Sequence, residues 1–167
     1  MAFVDNHGDR EIYVLEYLHP AMIDRDNPVA QLCAAGMAVD GDPDAAHALF
    51  LQAWESRRDD YDASIAAHFL ARHQPSPADT LHWNRIAAAH AEAVPDNRAK
   101  PLLASLYLNL ADSHLALGNR ADAATTAGLG VAALQYLPVG GYREFVERGL
   151  PRLQSRLAQA TVPDADI

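Results

Sequence analysis

The sequence predicts an all-α fold: a stack of helix–turn–helix pairs closed by a C-terminal capping helix. Three observations point there. The stretch GDPDAAHALFLQAW (Gly41–Trp54) recurs, loosened, as QPSPADTLHWNRIA (Gln74–Ala87) and as GNRADAATTAGLGV (Gly118–Val131). Each copy opens on a small polar residue suited to an N-cap, Asp42, Ser76 or Asn119, with a small residue four places on and an apolar or space-saving position one turn later. The caps lie 34 and then 43 residues apart, close to the ~34-residue period at which helix–turn–helix units stack on one another. A chain built this way buries its core between neighbouring units, which lowers the expectation of catalysis.

At 167 residues, with 50% hydrophobic and 21% charged residues, the chain is sized and composed as one folded domain. The expected organisation is an N-terminal extension over 1–27, partly flexible, a single domain over 28–160, and a frayed tail over 161–167. A net charge of −9 argues against nucleic acid, whose phosphates need a basic stripe. Lys100 is the one lysine among thirteen basic residues, which together with the heavy use of alanine suggests a GC-rich bacterial genome. No basic n-region leads into an apolar h-region, and no apolar run approaches ~18 residues, so no membrane association is expected and the cytoplasm is the default location.

Taken in order, Arg10–Pro20 mixes strand and helix signals, and a lone strand would have no partner, so a short helix is expected. Asp26 or Asn27 caps a helix that starts at Pro28 and runs to about Val39. Asp42-Pro43 starts the next, to about Arg57. Helices over about Asp60–His73 and Pro77–Ala93 follow, and after the Val94-Pro95-Asp96-Asn97 loop come Pro101–Leu117 and Arg120–Leu137. Pro138-Val139-Gly140-Gly141 is a break. Tyr142–Gln159 carries an apolar stripe of Phe145, Val146, Leu150, Leu153 and Leu157 and should cap the stack, with Pro151 interrupting and kinking it.

In the third copy, Tyr107, Leu110, Ala111 and His114 occupy a large–leucine–small–aromatic series on the first helix, and Ala123 fills the small slot of the second. The first copy has Ala34 in the small slot, answered by Ala46, Phe50 and Ala53. Over roughly residues 28–135 the chain thus resembles the tetratricopeptide repeat family. It departs from the pattern at Ala30 in the large slot and at Asn84 and Ala127 in the aromatic slots. The resemblance implies a right-handed superhelix whose first helices line a concave groove for an extended peptide or a partner helix. Projected here, that face carries Gln31 and Ala35, then Asp62, Ile65, Phe69, Arg72 and His73, then Ser105, Leu108, Asn109 and Asp112. Phe69, Arg72, His73, Asn109 and Asp112 are the candidate recognition surface. A protein or peptide partner of unknown identity is expected, with self-association also open.

The second copy places His68 in a small slot facing Thr80 and Asn84, three polar side chains at an otherwise apolar seam. A core histidine hydrogen-bonded to Asn84 is the expectation, because buried polar groups are paired. The alternative function is a small-molecule-binding protein or atypical enzyme, with His68, Asn84 and His73 as its ligand site between helices. No catalytic residues and no cofactor are expected: HExxH, GxSxG, P-loop and CxxC motifs are missing, and no glycine-rich nucleotide loop follows a strand, which weighs against a methyltransferase. His68 and His73 are five apart, on different helix faces, so no metal site is expected. Cys33, the one cysteine, falls in a core slot as an inert thiol, and the Arg57-Arg58-Asp59-Asp60 run reads as a solvated turn.

Overall fold

The computed structural model describes residues 23–39 and 41–159. Among them are seven α-helices and no strand: α1 (Pro28–Ala38), α2 (Pro43–Glu55), α3 (Asp60–Leu70), α4 (Pro77–Ala93), α5 (Lys100–Ala116), α6 (Arg120–Ala133) and α7 (Gly141–Gln159). The expected Arg10–Pro20 helix lies outside the described residues. Each helix packs on the next through a short connection. α1 also touches α3, and α5 touches α7.

Local chemistry sets most of the helix starts. Asn27 caps α1 by accepting from Val29 N (2.8 Å) and Ala30 N (3.2 Å), with Pro28 supplying the first helical position. Asp42 accepts from Ala45 N (3.1 Å) and Asp59 from Asp62 N (2.9 Å). Ser76 accepts from Asp79 N (3.1 Å) while its hydroxyl donates back to the Asp79 carboxylate (2.6 Å). Asn119 departs from the pattern. It sits at the cap position of α6, but its side chain makes no cap bond. The turn is instead closed from the α5 side. Gly118, at φ +75°, donates to Leu115 O (3.0 Å) and Asn119 N donates to His114 O (2.9 Å), a Schellman reversal that only glycine adopts without strain.

Two expected helices end sooner than their apolar pattern. α3 and α6 tighten into 3-10 turns at Ala71–His73 and Leu134–Tyr136, as final turns often do. The expected interruption at Pro151 is absent: α7 runs through it. Pro151 is exposed and Glu147 half-buried, so the lost hydrogen bond lies on the outer side of the helix.

The core is contiguous along the helix row, with Phe50, Ile65, Phe69, Leu102, Leu106, Leu150 and Leu153 fully buried. Small residues allow the helices to approach. Ala46, Ala53, Ala66, Ala67, Ala87, Ala111 and Ala123 are fully buried. A Cβ on Gly36 would stand 2.3 Å from the Phe50 ring, and one on Gly149 2.7 Å from Leu108 Cδ2. The close contact in the first pair is therefore made by Gly36, while Ala34, the expected slot, is only half-buried.

Candidate functional site

Three helices meet at the buried polar seam. His68 on α3 is buried, and its Nδ1 lies 3.4 Å from the side-chain amide nitrogen of Asn109 on α5. That nitrogen can only donate, so Nδ1 accepts and the ring proton belongs on Nε2. Burial first, and then the positive charge of Arg72, lower the His68 pKa to about 3, so the ring is neutral at pH 7. On the α4 side, the Asn84 amide donates to Ser113 Oγ (2.8 Å), and that hydroxyl donates to Asn109 O (2.9 Å). Thr80 turns back on its own helix, bonding Ser76 O at 3.2 Å.

The expected pairing is therefore revised. His68 and Asn84 are both buried, as a seam requires, but Ser113 receives the Asn84 amide and Asn109 faces His68. α5 thus supplies a partner to both α3 and α4. Ser113 belongs to no repeat slot singled out in the sequence, although its i+4 spacing from Asn109 was visible there.

The aromatic side of the seam is a stack. The Phe69 ring meets His68 edge-on at 5.1 Å and lies 5.5 Å from Phe50, which in turn lies parallel to His73 at 6.1 Å. The phenyl rings thus link the two imidazoles. Phe69 itself is 1% exposed and forms the floor of this region rather than its surface. Arg72, His73, Asn109 and Asp112 are half-buried. Asp112 accepts a hydrogen bond from the Arg156 guanidinium of α7, which ties the expected recognition row to the last helix.

Other residues of the projected face serve the fold. Asp62 is completely buried and accepts from the Asn27 side chain (2.6 Å), from Arg58 N (3.1 Å) and from Arg58 Nε (3.0 Å), locking the start of α1 to the start of α3. Ile65 and Leu108 are core, and Ser105 bonds Leu102 O within its own helix (3.0 Å). Gln31 and Ala35 are exposed. Burial of Cys33 pushes its thiol pKa far up, as an inert core thiol requires. In the Arg57–Asp60 turn, Arg57, Arg58 and Asp59 are exposed.

A second cluster lies where α2 meets α4. Trp54 and Trp83 are half-buried and meet edge-to-face at 5.1 Å, with the Arg57 guanidinium 3.8 Å above the Trp54 ring. His90 lies edge-on to Trp54 (6.1 Å) and bonds Asp60 at 2.8 Å. The tryptophans thus pack helix against helix.

Among the described residues no group of three or more His, Cys, Asp and Glu side chains is placed to hold a metal ion, and no helix is long and apolar enough to cross a membrane. Compared with known protein families, curated proteins and solved structures, the chain matches none.

Proposed function

We propose that this chain is a tetratricopeptide-like interaction module, non-catalytic, that holds a peptide or partner helix against α3 and α5. In this reading α1–α2, α3–α4 and α5–α6 are three repeats in a right-handed superhelix and α7 caps the last. The observation that carries it is the juxtaposition of α3 and α5 fixed by His68 and Asn109. In the repeat reading these helices run parallel, each antiparallel to α4 between them. Arg72, one turn beyond His68, and Asp112, nearly one turn beyond Asn109, then stand at about the same level.

The chemistry follows from the residue types. Arg72 offers a planar fork of donors to a carboxylate or main-chain carbonyl, and Asn109 and Asp112 can hold backbone amides. His73 supplies a flat ring already braced by Phe50. The alternative, a small-molecule site built on His68, Asn84 and His73, is less well supported, because Asn84 donates to Ser113 and His68 accepts from Asn109, both on α5.

The test begins with the chain as bait in extract of its native host. The captured partner is then titrated against the purified wild type, Arg72→Ala and Asn109→Ala. A loss of about tenfold or more for Arg72→Ala is expected, in the range of a hydrogen bond to a charged group. Unchanged affinity for both variants would place the interface elsewhere and refute the reading.

A further inference from the structure

The outer face of α6 differs from those of the other even-numbered helices. The exposed residues of α2 include Asp44, Gln52 and Glu55, and those of α4 include Asp79, His82, Arg85 and Glu92. Over the same arc α6 exposes Ala121, Asp122, Ala124, Thr125, Gly128, Leu129, Val131 and Ala132, with one charge, in its first turn. Leu129 is 47% exposed and Val131 44%; beyond the helix end Tyr136 is 39% and Val139 95% exposed. Most of the large apolar side chains that the described residues leave open thus sit on or beside this one helix. A Cβ built on Gly128 at its centre meets nothing within 4 Å.

From this we infer that the chain forms a homodimer through α6, two copies crossing antiparallel about a two-fold axis at Gly128. The occupant follows from charge and from shape. Each chain carries −9, so two copies repel except where charge is sparse, and α6 is such a place. The face is self-complementary under a two-fold operation, which an isologous contact requires. At 100° per residue Gly128, Ala121 and Ala132 run along its middle, Val131 and Ala124 along one edge, and Leu129 and Asp122 along the other. Antiparallel pairing sets Val131 of one copy over Ala124 of its partner and Leu129 against Leu129, large against small on one edge and apolar against apolar on the other. It also brings Asp122 toward the end of the partner's helix, past which the Lys100 ammonium lies 5.0 Å over the Tyr136 ring, so that opposite charges meet at the rim. The two helix dipoles oppose one another favourably.

Sedimentation of the full chain from about 1 to 100 μM should show a concentration-dependent monomer–dimer equilibrium. Gly128→Arg, which meets open space in the monomer, should leave the circular dichroism spectrum unchanged and weaken the dimer at least tenfold. Gly128→Cys should form a disulfide-linked dimer under mild oxidation, while Ala89→Cys on the exposed face of α4 should not; the buried Cys33 thiol stays silent in both. A wild-type monomer across the range, an undiminished dimer in Gly128→Arg, or equal cross-linking of the two cysteine variants would each overturn the inference.

Discussion

Acidification is the sharpest probe of the seam. His68 is held neutral in the folded chain, with its pKa lowered to about 3, whereas in the unfolded chain it titrates near the ordinary 6.5. As pH falls the unfolded state takes up this proton first, and stability follows the difference in bound protons. The contribution of a neutral His68 is therefore fully present above about pH 6.5, drains as pH falls, and levels off only near pH 3, where the folded ring protonates too. At pH 5 the unfolded chain is favoured by about 1.5 pH units of proton uptake, or about 2 kcal/mol. That is a large share of the ~5–15 kcal/mol that holds an ordinary domain together.

Urea unfolding at pH 7 and pH 5, followed by circular dichroism, measures it against His68→Gln, which keeps polar atoms at the seam but cannot titrate. The wild type should lose about 2 kcal/mol more than the variant between the two pH values. His114 shifts the same way, through burial first and then Arg85, opposed by Asp122; it is present in both proteins and cancels in the difference. Carboxylates titrate mainly below the window. Equal losses in the two proteins would mean that water or a carboxylate reaches His68 when it protonates, and the buried-seam description would fail.

Two substitutions test the packing. Gly36→Ala puts a methyl into the Phe50 ring and should lower the urea midpoint by the equivalent of about 1–3 kcal/mol at unchanged m-value, although glycine to alanine ordinarily stabilises a helix; an increase in stability would show that α1 and α2 can separate freely. Asp62→Ala strips the acceptor from Asn27 and from the Arg58 backbone and should cost about 1–3 kcal/mol; a neutral result in thermal unfolding would place Asp62 at the surface, where the repeat projection put it.

What the sequence made legible was local. Asn27, Asp42 and Ser76 cap their helices because the capping atom lies two or three residues from the amide it serves. Asn119 misled for the same reason: Gly118 beside it offers a backbone closure that leaves its side chain unused. His68 could be read as buried because a histidine in a small slot has nowhere else to go. Asp62 could not, because one of the donors that satisfy its carboxylate is Asn27, 35 residues earlier in the chain. The identity of His68's and Asn84's partners was equally hidden, since it depends on which of the α5 residues face each neighbour.

That division of α5 governs how the candidate site should behave. Asn109 and Ser113, four apart, form one row turned to α3 and α4, whereas Leu108 and Asp112 form the adjoining row turned to α7. Tyr107 adds a third tie, its hydroxyl donating to Glu92 of α4 at 2.8 Å. A partner that engaged Asp112 would compete with Arg156, loosening the grip on α7 while the Asn109–Ser113 row stayed intact. A partner that engaged Asn109 would instead disturb His68, and with it the acid sensitivity worked out above. The two members of the proposed recognition row are neighbours on one helix, yet each is coupled to a different part of the stack. Binding measured at pH 7 and pH 5 would therefore report which of them a partner uses.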